Sequence, residues 1–183
     1  NGYLIDQFLR SSTNQRSDAY GGSKENRARL LLEIMAATCA AIGNDRVGLR
    51  LSPVTPFNDI ADANPQETFD YVVGELNRFD LAFLDILQGT GGAPHDQWLP
   101  FDYARLRSLY KGNLILNIGY DFASAQTAIA SGAADAIAFG RALLANPDLV
   151  ERFRCGAPLN QPDYERLYVG EEKGYTDYPV LPA

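Results

Sequence analysis

The residues best suited to hold an anion are two glycines that close apolar runs. Gly140 follows Ala136–Phe139, a run of the length expected of a strand buried on both faces of a parallel sheet, and Arg141 comes next with helix-compatible residues behind it. A glycine at a strand's C-terminal end lets the backbone approach a ligand. Free N–H groups at a helix start favour negative charge, and a guanidinium offers phosphate oxygens a planar, permanently charged fork. Gly119 and Tyr120 repeat the arrangement one element upstream, after the run Leu114–Ile118 and before the helix-forming Phe122–Ser131. Either half alone is equally a tight βα turn whose arginine goes to solvent or to a surface carboxylate. Two such loops in succession match the phosphate grip of (β/α)8 barrels, which is built from the last two βα loops. Arg50 is a further oddity, a charge inside Val47–Leu51, which is otherwise patterned as a buried strand.

Other chemistries find little support. No G-x-x-x-x-G-K-[ST] or G-x-G-x-x-G is present. The three lysines, Lys24, Lys111 and Lys173, fall in loops or helix starts rather than at strand ends, which argues against Schiff-base catalysis. His95 is the sole histidine and has no acidic cluster around it, so no metal site is expected, and Asp85 reads as a hydrogen-bonded core residue of its strand. A formal net charge of -7 argues against nucleic acid or an anionic membrane as partner. No apolar stretch reaches the roughly 18 residues of a membrane-spanning helix, and no secretory leader is expected. Cys39 and Cys155, with no CxxC pairing, suggest a reduced, cytoplasmic protein.

The elements that must position these residues alternate. Residues 1–22 read as a polar, glycine-rich loop. Ser23 then caps a helix over Asn26–Ile42 that Gly43 ends. Strands begin near Val47, Leu81, Leu114 and Ala136, each followed by a helix: one from Asn64-Pro65 with Phe69, Val72, Val73 and Leu76 inward, one over Asp102–Tyr110, one over Phe122–Ser131, and a last from Asn146-Pro147 through Arg154. Residues 156–183 form a tail expected to wrap on the body. Four βα units without an internal linker give a parallel sheet with right-handed crossovers, half of an eight-stranded barrel. A doubly wound sheet shares the alternation but would carry its phosphate loop after the first strand rather than after the last two. An isolated half-barrel would expose two strand edges and the inner layer. The chain opens Asn-Gly-Tyr and its one methionine is Met35, so a piece of a longer or processed chain is expected.

These motifs give the chain a family likeness. It resembles the C-terminal half of the old yellow enzymes, FMN-dependent ene-reductases built on a (β/α)8 barrel. The likeness rests on Asn1–Leu9, on Asn14–Ser23 with Glu25–Arg29, on Val47–Pro53, on Ala138–Arg141 with Asn146–Leu149, and on Gly174–Pro179. The resemblance implies an α/β fold comprising the second half (strands 5–8 with their helices) of the barrel over residues 1–183. It also implies FMN as cofactor, NAD(P)H as reductant and activated alkenes of unsaturated carbonyl or nitro compounds as substrates.

Site roles follow from the same likeness. Tyr3 matches the proton donor, a task that suits a phenol because it is protonated at neutral pH yet able to give its proton to an enolate-like carbon; its bland alternative is a loop aromatic packed on its neighbours. Asn1 matches a residue that hydrogen-bonds the substrate carbonyl, and Tyr175 an aromatic lining the pocket. Arg50 matches the arginine beside the flavin N1 edge, against the alternative of an ion pair with Asp85 or another neighbour. Gly119, Tyr120, Gly140 and Arg141 match the FMN phosphate site. The loop 88–98 covers a variable region of the family. An N-terminal half-barrel polypeptide is the expected partner, since the remaining flavin and substrate contacts belong to strands this chain does not hold. The competing reading is a non-catalytic, phosphate-binding half-barrel that serves as an assembly module. The iron–sulfur branch of the superfamily needs a cysteine cluster that the sequence does not supply.

Overall fold

The computed structural model describes residues 1–90, 99–169 and 171–182, in two compact units, residues 1–137 and 138–183. The first unit runs α1 (Leu4–Leu9), α2 (Lys24–Ile42), β1 (Gly48–Leu51), α3 (Pro65–Leu76), β2 (Phe83–Leu87), α4 (Tyr103–Leu109), β3 (Leu114–Asn117) and α5 (Phe122–Ala130). Strand β4 (Ala136–Ala138) starts in it and ends at the first residue of the second unit, which continues with α6 (Arg141–Ala145) and α7 (Leu149–Cys155).

The strands form one sheet in the order β1-β2-β3-β4. Pairing is parallel, with Arg50 opposite Asp85 and Leu87 opposite Asn117. Strands that neighbour in sequence order through right-handed crossovers carry their helices to one face, and a doubly wound sheet would have to reverse that order. Period-two alternation agrees. Leu84, Ile86, Leu114 and Leu116 are buried in one core with Leu31 and Met35 of α2, Phe69, Val72, Val73 and Leu76 of α3, and Leu106 of α4. Each large apolar side chain so buried contributes roughly 1.5–3 kcal/mol. Gly48, Arg50, Phe83, Asp85, Leu87, Ile115 and Asn117 alternate onto the opposite, less buried face. Phe83 there lies over Gly48, where a Cβ would come within 2.3 Å of the ring. Four consecutive βα units with one closed and one open face are the second half of a (β/α)8 barrel.

Caps explain where the helices start. The side chains of Ser23, Asn64, Asp102 and Asp121 each accept a backbone N–H three residues on, and Asp121 and Ser124 form a reciprocal capping box. Gly43, at φ 90°, closes α2.

Three features depart from expectation. The segment read as a loop over residues 1–22 contains the helix α1, six residues long. Six residues carry too little periodicity to be recognised, and the helix is held by tertiary burial of Leu9 and Asp6 rather than by propensity. Strand β4 is buried on neither face: Ala136 is exposed and Ile137 and Ala138 half-buried, β4 being the last strand of the sheet with a neighbour on one side only. The helix expected from Asn146-Pro147 through Arg154 starts later, as α7 with Asp148 at its N-cap, because Asn146 already serves as the C-cap of the separate short helix α6.

In the second unit the segment after α7 has no regular structure but is firmly tied. Arg152, buried, donates from Nε to Asp148 Oδ1 (2.7 Å), from Nη1 to the Pro158 carbonyl (2.6 Å) and from Nη2 to the Pro179 carbonyl (2.8 Å). Asp148 Oδ2 accepts the Leu181 N–H (2.7 Å), the Asn146 side chain donates to the Asn160 carbonyl and accepts the Asn160 N–H, and the Asn160 amide donates to the carbonyls of Ala145 and Pro179. The tail is thus fastened onto α7 within its own unit.

Candidate active site

Tyr3 stands immediately before α1, with its side chain exposed and its ring edge-on to Phe57, centroids 5.7 Å apart. The preceding Gly2 is buried and left-handed at φ 77°. Its N–H donates to Asp6 Oδ2 (2.8 Å), and its carbonyl accepts from Asn58 Nδ2 (2.7 Å). Asp6 Oδ1 accepts from Arg10 Nε (2.8 Å); Arg10 in turn donates to the Ser52 carbonyl just past β1 and lies 4.9 Å over the Phe69 ring. The backbone that presents Tyr3 is therefore tied to the end of β1 through a buried ion pair. Asn1, the other residue of this group, is exposed.

Arg50 projects from β1 onto the open face of the sheet. Its Nε lies 3.2 Å from Asp85 Oδ2 and its Nη2 donates to Asn117 Oδ1 (3.0 Å), while the guanidinium side chain keeps 43% of its exposure. The ion pair with Asp85, one of the two readings of Arg50, is therefore formed, and it leaves the arginine accessible. Asp85 is not the hydrogen-bonded core residue expected: its Oδ1 is buried without a hydrogen-bond partner among the described residues. Burial pushes its carboxyl up from the ordinary range, opposed by Arg50.

Gly119 and Tyr120 follow β3. Gly119 is left-handed at φ 85°, and the residue before it, Ile118, is left-handed as well at φ 75°. A β-branched residue there is strained. No side-chain pattern announces such strain. Burial pushes the Tyr120 phenol up, opposed by a hydrogen bond with the Gln88 side chain.

In the second unit Gly140 and Arg141 open α6. A Cβ on Gly140 would meet no atom of the described residues within 4 Å, so among them the glycine leaves space rather than filling a packed corner. Helix α6 is five residues long, too short for its N-terminus to hold an anion by itself, and the attraction falls to the Arg141 side chain. That guanidinium is exposed, lies 5.9 Å over the Tyr164 ring, and among the described residues forms no ion pair. Tyr175 is exposed and packs edge-on to Tyr168 at 6.3 Å. The structure brings Arg50 together with Asp85 and Asn117, Tyr3 with Phe57, and Arg141 with Tyr164.

Sequence reasoning missed Asp6, Arg10, Phe57 and Asn58. The four-residue spacing of Asp6 and Arg10 was the one available signal; nothing local marks Phe57 or Asn58. His95 and positions 91–98 of the variable loop lie outside the described residues. Among the described residues no cluster of three His, Cys, Asp or Glu could hold a metal, and no helix is long and apolar enough to cross a membrane.

Comparison with known proteins bears on this geometry. The profile of the NADH:flavin oxidoreductase / NADH oxidase family matches residues 1–160. A Leishmania infantum protein named "Probable flavin mononucleotide-dependent alkene reductase" is 48% identical over 184 residues, covering 99% of this chain and 48% of the relative. The old yellow enzyme from Trypanosoma cruzi superposes with a TM-score of 0.93 at 38% identity, over all of this chain and 48% of its own. A morphinone reductase solved with tetrahydroNAD gives a TM-score of 0.87 at 44% identity, over 98% of this chain and 48% of that one. The chain spans about half the length of the curated relatives it matches.

Proposed function

Since the chain belongs to the NADH:flavin oxidoreductase / NADH oxidase family, we propose that it forms the second half of an FMN-dependent ene-reductase. Such an enzyme reduces the C=C bond of unsaturated carbonyl or nitro compounds at the expense of NAD(P)H. The observation that carries the reading is Arg50: a guanidinium half-exposed on the open face of a four-stranded half-barrel, where a core would have none. The donor set suits the cofactor. Arg141 brings a fixed cation without an acidic partner among the described residues, as a phosphate dianion requires, and Arg50 brings a second for the anionic edge of a reduced flavin. The strained Ile118-Gly119 corner is the kind of backbone distortion that functional loops hold.

FMN, if held here and reduced by NAD(P)H, would supply the hydride chemistry of the reaction, and this chain's residues would orient the substrate and handle the proton. Asn1 hydrogen-bonds the carbonyl or nitro oxygen, and Tyr3 gives its phenolic proton to the α-carbon and recovers one from water. The family likeness assigns Gly119 and Tyr120, and likewise Gly140 and Arg141, to the phosphate, and Tyr175 to the substrate side. Nothing observed favours the non-catalytic assembly module. We also assign residues 1–183 to a single half-barrel domain with 156–183 as its tail, completed by a polypeptide that supplies the first four strands. The open sheet face with Phe83 39% exposed supports that partner. Two unpaired thiols, Cys39 and Cys155, fit a cytoplasmic location.

The test is flavin retention. Gly140→Asp sets a carboxylate against the phosphate and should release FMN on dialysis, while Arg141→Ala should weaken binding less. Full flavin occupancy in dialysed Gly140→Asp protein overturns the phosphate assignment. Native mass spectrometry of the flavin-loaded species tests the partner: a monodisperse flavin-loaded monomer of 20.1 kDa would exclude it.

A further inference from the structure

The segment after β1 holds the Tyr3 backbone in a way its own sequence does not require. Asn58 (φ 57°, ψ 37°) and Asp59 (φ 60°) are consecutive non-glycine residues in the left-handed region. Such residues cost conformational energy, which persists only where the surroundings over-determine it. The distortion aims the Asn58 amide at the Gly2 carbonyl, part of the peptide bond that carries the Tyr3 nitrogen, at 2.7 Å. It also sets the Phe57 ring under Gly2, where a Cβ would come within 2.5 Å of Phe57 Cδ1, and edge-on to the Tyr3 ring. The far end of α1 is gripped by the same segment: the Ser12 N–H donates to the Ala61 carbonyl (3.1 Å), and Ser12 Oγ and Ser11 Oγ accept the N–H groups of Ala61 and Ala63 (both 2.8 Å). Ile60, 1% exposed, anchors the segment in the core.

We propose that Asn58 and Phe57 are positioning residues for proton transfer, fixing the Tyr3 backbone and ring against the segment that follows the strand carrying Arg50; this rests on Tyr3 being the proton donor. If the grip served folding alone, Asn58 would matter equally to every step. If it positions the donor, only the step that uses the proton responds, and so does the face of the α-carbon that receives it.

The experiment uses the flavin-loaded protein as isolated, with an α-methyl cyclic enone as substrate. Asn58→Gly tolerates the left-handed backbone and removes the amide. The oxidative half-reaction should slow about five- to tenfold, on the scale of one lost hydrogen bond. Reduction by NADPH should stay within about twofold of the parent, a difference too small to reflect a lost contact. The α-carbon product should lose enantiomeric purity. Phe57→Leu should act in the same direction, more weakly. An unchanged oxidative half-reaction and product purity in Asn58→Gly, or equal slowing of both half-reactions, would overturn the proposal. Tyr3→Phe separates the two levels. If that variant leaves both the oxidative rate and α-carbon purity intact, the donor assignment itself fails; if it impairs them while Asn58→Gly matches the parent, the clamp alone fails.

Discussion

Two arginine–aspartate pairs sit near the C-terminal end of β1, and they are built to opposite specifications. In Arg10–Asp6 the side chains are 2% and 4% exposed, and both carboxylate oxygens and the guanidinium find partners at Gly2 and Ser52. In Arg50–Asp85 the arginine is 43% exposed, the ion contact is 3.2 Å, and one carboxylate oxygen is buried with nothing to accept among the described residues. The chemistry of the two pairs is the same; their completeness is not. A closed pair spends all its hydrogen-bonding capacity on the fold, whereas an open one keeps a cation available to something outside the sheet. Between these two pairs, completeness of bonding, more than charge alone, is what differs.

The sharpest way to break the contrast is to remove one arginine from each pair. Arg10→Met leaves Asp6 buried and unpaired and should cost about 3–5 kcal/mol, read as a lowered urea midpoint. Arg50→Gln should change stability by about 1 kcal/mol or less, the scale of an exposed pair, yet lower the flavin's reduction potential by withdrawing a cation from the reduced form. If Arg50→Gln unfolds the protein as readily as Arg10→Met, the two pairs are not different in kind.

A smaller effect sharpens the comparison at Asp85. Its folded-state carboxyl is raised, first by burial, so the protonated form is the better accommodated one. The stability this group contributes is present below its unfolded value, about 3.9, and is lost as pH rises through the folded value. Asp85→Asn should therefore gain stability relative to the parent towards neutral pH and show no such gain at the acid end. Chemical denaturation at several pH values checks this; a gain confined to acid pH would mean that Arg50 stabilises the carboxylate more than burial penalises it.

The sheet was legible because its signal is repeated: four apolar runs, each with a helix behind, and polar caps at Ser23, Asn64, Asp102 and Asp121 that mark the helix starts. Helix α1 was not, since its stability comes from a pair whose partners, Gly2 and Ser52, are distant in sequence or carry no side-chain information. Arg50 could be singled out as a charge in a strand, but not the orphan oxygen of Asp85, which is a property of packing. The most distinctive polar stretch proved to be scaffolding. Asn14 holds the carbonyls of Phe8 and Tyr20, and Arg27 those of Leu9 and Gly22 along with the Thr68 hydroxyl. Phe57 and Asn58 had no signal at all, because their role depends on backbone torsions that no residue pattern encodes.

The fastening around Arg152 has a consequence for how such a chain changes over generations. Its guanidinium addresses the carbonyl oxygens of Pro158 and Pro179, groups every residue type possesses. Exposed side chains between those two points, such as Tyr164 and Tyr168, take no part in either of these two attachments. One buried cation thus holds the segment through backbone oxygens, so an exposed side chain there can be exchanged, and the surface it makes altered, while this attachment stays the same.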